Sequence, residues 1–147
     1  MFRSYTFSFE EVRPEKSVLM EYLQIPDAES YSLVSEIVEK TFSGLANSKE
    51  IIGGYRILDC KGLDIREGTV FCSPGPLHTG RKISGYMTGA TEIALFLCTA
   101  GKTFTDLSHA YQQNGDFLEA FVVESIGSAT VENAMDKVQC CLEEEIT

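Results

Sequence analysis

Thr91-Glu92-Ile93-Ala94-Leu95-Phe96-Leu97-Cys98-Thr99-Ala100-Gly101 leads through a polar stretch to Gly115-Asp116, and a mostly apolar and small-residue run follows from Phe117 to Leu142. The centre of the first segment is apolar without alternation, which predicts a central strand buried on both faces. Thr103 or Thr105 is placed to cap a helix reaching to about Asn114, with Gly115 as its stop. Asp116 then caps the last element, where Phe117, Phe121, Ile126, Ala134, Val138 and Leu142 recur near the helical period. That element is either one helix of about 30 residues or two with a break near Gly127, whose neighbours Ser128 and Ala129 are also small.

Upstream, residues 81–88 read as a short helix closed by Gly89, and residues 73–80, rich in proline and glycine, read as a loop. Residues 51–60 and 69–72 predict two strands, an antiparallel pair separated by a segment with two glycines. Asp27 is a good cap for a long amphipathic helix with Tyr31, Val34, Ile37, Val38, Thr41, Phe42 and Leu45 on its apolar face. Before it, a short helix follows Pro14 and ends at Pro26, with Val18, Leu19, Tyr22 and Leu23 at helical spacing. Residues 2–9 alternate, which places Tyr5, Phe7 and Phe9 on one side of a half-buried strand. Strands and helices in this order define an α+β protein.

The chain has 147 residues, 44% of them hydrophobic, enough to bury roughly two thirds of its unfolded surface. One domain over residues 1–147 is expected. No apolar run reaches the roughly 18 residues of a membrane span, and the N-terminus alternates instead of pairing a basic patch with an apolar block. A formal charge of -10, from 22 acidic against 12 basic residues, repels phosphate backbones and anionic headgroups. Neither nucleic acid nor membrane is an expected partner. The acidity peaks at Glu143-Glu144-Glu145, read as a solvated last turn that opposes the helix dipole.

Cys60, Cys72, Cys98, Cys140 and Cys141 are an odd set with no metal-type spacing. Three lie in apolar stretches, so reduced thiols and a cytoplasmic location are expected. Vicinal Cys140-Cys141 could oxidise or hold a soft metal, but neighbouring helix positions diverge.

No phosphate loop, nucleophile elbow or H-E-x-x-H motif occurs. His78 in its loop is a possible ligand or base, and His109 sits inside a helix, where packing or solvation is the simpler reading. Asp106 could meet Glu119 or Glu124 as an acid/base pair if their distance allows. The turn Thr99-Ala100-Gly101-Lys102 offers backbone amides before a helix, for an anion or cofactor, or is simply a strand-to-helix turn.

The order Phe96-Leu97-Cys98-Thr99-Ala100-Gly101, then Gly115-Asp116-Phe117-Leu118-Glu119-Ala120, then Glu124-Ser125-Ile126-Gly127-Ser128-Ala129-Thr130-Val131-Glu132 resembles the activation domain of cobalamin-dependent methionine synthase. That family carries a T-x-G turn, a G-D-x-x-x-A segment and a small-residue helix followed by an acidic residue in this order. The Lys82-Ile83 helix and the Gly89-Ala90-Thr91 turn fit as well. The resemblance covers residues 82–146 well and the earlier residues in outline. It implies a methionine synthase activation domain-like fold, with a small, mostly antiparallel or mixed sheet packed with helices that include a long C-terminal one.

Activation domains bind S-adenosylmethionine and present its methyl group to cobalamin. By resemblance, Thr99, Gly101 and Glu132 are the candidate cofactor-binding residues, with S-adenosylmethionine or cobalamin as the possible cofactor. In the family the adenosyl ligand is gripped largely by an arginine- and Pro-Gly-Tyr-containing segment beyond the long helix. No such segment occurs within residues 1–147, where the one Pro-Gly pair, Pro74-Gly75, lies upstream. The resemblance therefore implies an accessory or docking protein without activity of its own, acting with a corrinoid-dependent methyltransferase, as a homo-oligomer or with a separate chain that supplies the missing half. The alternatives are an S-adenosylmethionine- or corrinoid-binding protein taking part in methyl transfer, and a diverged small-molecule-binding domain around His78 and the Thr99 turn.

Overall fold

A computed structural model describes residues 2–147. In chain order the elements are β1 (Phe2–Phe7), α1 (Phe9–Val12), α2 (Lys16–Tyr22), α3 (Ala28–Leu45), β2 (Ile51–Asp64), β3 (Thr69–Cys72), β4 (Pro76–His78), α4 (Gly80–Tyr86), β5 (Glu92–Thr99), α5 (Thr103–Gln113) and α6 (Phe117–Ile146). The protein is α+β, with a long C-terminal helix. Among the described residues five strands pair in the order β1-β2-β3-β4, and β5 also pairs with β2. The described residues form two compact units. One comprises the residues up to Arg3 with Tyr55–Phe96, and the other Ser4–Gly54 with Leu97–Thr147.

In the first unit, β2 and β3 are antiparallel, with Cys60 opposite Cys72 and Asp64 opposite Thr69. The turn between them closes on Gly68, whose φ of 68° suits glycine. Its carbonyl accepts from the amides of Thr79 and Gly80 at 2.9 and 3.0 Å. A Cβ at position 68 would meet the Gly80 backbone at 2.6 Å. Leu58, Val70 and Cys72 form the centre of this unit, with Leu77 and Ile93 packed against them. The region read as a loop contains β4, which pairs with β3 through Val70 opposite Leu77. Three residues held by a neighbouring strand are too few to leave a periodic signal.

In the second unit, the expected strand through Phe9 ends earlier. Phe7 is buried in β1, but Phe9 opens α1 under a reciprocal cap: Ser8 Oγ accepts from the Glu11 amide, and the Glu11 carboxylate accepts from the Ser8 amide at 2.6 Å. The S-x-x-E pattern is what overrides the alternation. Phe9 is fully buried, edge-on to Phe42 at 5.6 Å and tilted against Phe104 at 5.9 Å. Asp27 caps α3 as expected, accepting from the Ser30 amide at 2.7 Å, and Val34, Ile37, Val38, Thr41 and Leu45 are buried. Tyr31, expected on that face, is exposed. In α2 the buried pair is Leu19 and Met20, while Val18 and Tyr22 are exposed.

Helix α6 runs unbroken through Gly127. An interior glycine costs about 1 kcal/mol against alanine, whereas each fully buried Val or Ile contributes about 1.5–3 kcal/mol. Val122, Val123, Ile126 and Val138 are fully buried, so packing outweighs propensity. Helix α5 begins after Lys102, not under a Thr103 or Thr105 cap, because Thr103 Oγ1 donates to Glu50 Oε2 at 2.6 Å. Strand β5 departs from the expectation of two buried faces, since Leu95 and Leu97 are exposed. A run of apolar residues shows what would gain from cover, not that cover exists. No helix among the described residues is long and apolar enough to cross a membrane.

Candidate functional site

A cleft of about 680 Å³ opens in the second unit where the β5–α5 turn, α5 and α6 meet. The turn contributes Thr99 and Gly101. Gly101 adopts φ 82°, and its amide donates to Thr99 Oγ1 at 3.1 Å, so the turn is closed by its own side chain. A Cβ on Gly101 would lie 2.7 Å from the Cβ of Glu50, which makes glycine necessary here on both steric and conformational grounds.

Helix α5 supplies Phe104 and His109, and α6 supplies Gly127, Glu124 and Glu132. The small residue at Gly127 lets Phe104 approach to where a Cβ would stand 3.2 Å from its Cγ. Glu124 is fixed by Ser108 Oγ, which donates to Oε1 at 2.7 Å, and by Gln112 Nε2 at 3.2 Å. The cleft thus carries two carboxylates, one aromatic wall and no lining lysine or arginine. Such a surface favours a ligand with positive charge over a phosphate. A second cleft of about 400 Å³ shares Ser128 and Glu132 with the first and adds Arg13 and Tyr22. Arg13 stacks its guanidinium over Phe42 at 4.9 Å. Its guanidinium N–H groups are of the kind that receive a carboxylate.

The three candidates from the sequence, Thr99, Gly101 and Glu132, all line the first cleft, as do His109 and Glu124. Asp106 and Glu119 do not line it. Asp106 faces Lys102 at 3.5 Å, one helical turn away, whereas the Glu124 carboxylate is engaged by Ser108 and Gln112. His78 belongs to β4 in the other unit, where its Nδ1 lies 3.2 Å from Thr69 Oγ1. Glu50, Phe104, Ser108 and Arg13 were not singled out in the sequence. Ser108 alone left a trace, as a small polar residue on the apolar side of α5. Among the described residues no group of three His, Cys, Asp or Glu side chains is placed to hold a metal ion.

Fold and cleft define a small α+β protein with an open, acidic ligand-sized depression on its longest helix. No family model matches the chain, and no curated protein matches it.

Proposed function

We propose that the protein is an accessory module related to the activation domain of cobalamin-dependent methionine synthase, and that it binds S-adenosylmethionine for use with a corrinoid-dependent methyltransferase. The observation that carries this reading is the convergence of Thr99, Gly101 and Glu132 on one cleft with Glu124 and without a lysine or arginine. A sulfonium ion is a fixed positive charge that two carboxylates and an aromatic face would attract. The neighbouring cleft offers Arg13 for the carboxylate end of the same ligand. Both clefts suit a nucleoside-sized molecule, and a corrinoid, being much larger, belongs on the partner protein.

Docking has its own support. Tyr22, Val18, Phe117 and Phe121 expose 76, 61, 70 and 56% of their surface. Leu23, Ile25 and Leu118 line a shallow apolar groove on the same unit. Apolar surface of this kind marks an association face, for a second copy or a partner chain.

The test is calorimetry with S-adenosylmethionine and with S-adenosylhomocysteine, which lacks the positive sulfur. Binding of the first, at least about tenfold tighter than the second, is expected. Absence of heat and of thermal stabilisation at millimolar S-adenosylmethionine overturns the reading. Light scattering addresses the association face separately, and a clean monomer at tens of micromolar, about a typical working concentration, would dismiss self-association.

A further inference from the structure

In the first unit, two free cysteines stand directly opposite each other on neighbouring antiparallel strands: Cys60 of β2 and Cys72 of β3. The hydrogen bonds around them define the kind of pair they make. The Cys60 amide donates to Thr91 O at 2.8 Å and so points away from β3, whereas the next pair is bonded, Ser73 N–H donating to Asp59 O at 3.2 Å. Cys60 and Cys72 are therefore a non-hydrogen-bonded pair, the type whose Cα atoms approach to about 4.5 Å with side chains closest together. A disulfide requires Cα atoms about 4.4–6.8 Å apart.

Both thiols lie on the same face, Cys72 within the core cluster and Cys60 packed against it. Just beyond Cys60 the ladder carries an irregularity before Gly62, and Gly62 has no neighbour within 4 Å of its Cβ position, so the strand has room to adjust there. A metal is not the reading for this pair, because no third ligand accompanies it among the described residues.

We propose that Cys60 and Cys72 are a reversible thiol–disulfide site that closes as a cross-strand bond by exchange with a small disulfide such as oxidised glutathione. Cys60 is the more exposed of the two and reacts first. Its thiol loses a proton, the thiolate attacks one glutathione sulfur, and the other glutathione leaves as a thiolate. Cys72 then gives up its proton and attacks the Cys60 sulfur, releasing the second glutathione. One disulfide forms in the protein, one is reduced to two thiols, and the two protons end on the glutathione products.

The experiment incubates the full chain, with Cys140 and Cys141 changed to serine, in glutathione buffers of increasing oxidised fraction. Unreacted thiols are then alkylated and the protein is digested with trypsin without reductant. Cleavage after Arg56, Lys61, Arg66 and Arg81 separates the two cysteines into different peptides. The expected result is a linked pair, residues 57–61 joined to residues 67–81, lighter by two hydrogens than the sum of its parts and released by dithiothreitol. C72S should instead retain a glutathione adduct on Cys60. Both thiols alkylated at every ratio, or a glutathione adduct persisting on Cys60 in the chain that retains Cys72, overturns the proposal. Circular dichroism of each sample separates an unfolded variant from a folded one that does not react, and the linked peptide from the chain retaining both cysteines needs no variant at either position.

Discussion

Ser108 Oγ donates to Glu124 Oε1 at 2.7 Å across the seam between α5 and α6, and Gln112 Nε2 reaches the same oxygen at 3.2 Å. One carboxylate oxygen is held by the protein, and the other is left for the cleft. The serine is buried and the glutamate exposed, so the bond fixes a charge at the surface without desolvating it.

Removing the charge and removing its support should therefore differ. E124Q is expected to weaken S-adenosylmethionine binding about tenfold with little change in stability. S108A is expected to cost about 1 kcal/mol of stability, the worth of one hydrogen bond, and to weaken binding less. Calorimetry and urea unfolding measure the two effects, and a larger binding loss in S108A than in E124Q would refute the assignment.

The contact between Gly127 and Phe104 gives a graded test. In G127A the gain in helix propensity, about 1 kcal/mol, is set against a methyl placed 3.2 Å from the ring. Phe104 borders the open cleft and has space to yield, so the stability should stay within about 1 kcal/mol of the parent. G127V adds branching where the ring already presses and is expected to cost about 2 kcal/mol or more. Equal unfolding midpoints for the two variants would contradict this packing.

Two glycines with similar backbone angles should respond unequally. Gly101 and Gly115 have φ of 82° and 79°, but a Cβ would strike Glu50 at 2.7 Å in the first and nothing within 4 Å in the second. G115A is expected to lose about 1 kcal/mol for the left-handed conformation alone. G101A adds a steric clash and should lose roughly 2–4 kcal/mol. Urea denaturation decides, and equal losses would count against the Glu50 contact.

Two helix caps make stability depend on acid. Ser8 hydrogen bonds hold the Glu11 carboxyl below its usual 4.5, and Ser30 hydrogen bonds hold Asp27 below its usual 3.8. Both folded values are depressed, so their contribution is complete above those unfolded values and disappears as pH falls through the lower folded ones. The double variant E11A/D27A should show a shallower fall of unfolding free energy with acid than the parent. An unchanged slope would remove the caps from the account.

Thiol reactivity should rank by burial in the reduced protein. Cys140 is exposed, and burial pushes the Cys72 and Cys98 thiols up from their ordinary value. Alkylation followed by mass spectrometry is expected to mark Cys140 first and Cys72 and Cys98 last. Early labelling of Cys98, which lines the first cleft, would contradict this ranking.

Caps and periodic helices were legible in the sequence because their signals are local. Asp27, Gly115 and the apolar face of α3 are each written within one or two turns of chain. The S-x-x-E cap at Ser8 was equally local but stood behind an alternating pattern that read as strand. Strand β4 and the exposure of Leu97 were not legible, since both depend on which strand lies alongside. The cleft was half legible. Thr99, Gly101 and Glu132 could be marked, but Glu50, Phe104 and Arg13 owe their importance to neighbours roughly 50 to 120 residues away, a distance that periodicity cannot report.

The tie between Asn133 Nδ2 and Val12 O, 3.0 Å long and spanning 121 positions, has a bearing on biosynthesis. Helix α1, through its buried Phe9, gains part of its packing from α5 and α6, far along the sequence. During translation the side of Phe9 that meets Phe104 would wait uncovered until α5 and α6 have left the ribosome. Holding that interval safe would fall to a chaperone or to the speed of elongation, so synonymous codons upstream of α6 could alter the yield of folded protein without altering a single residue.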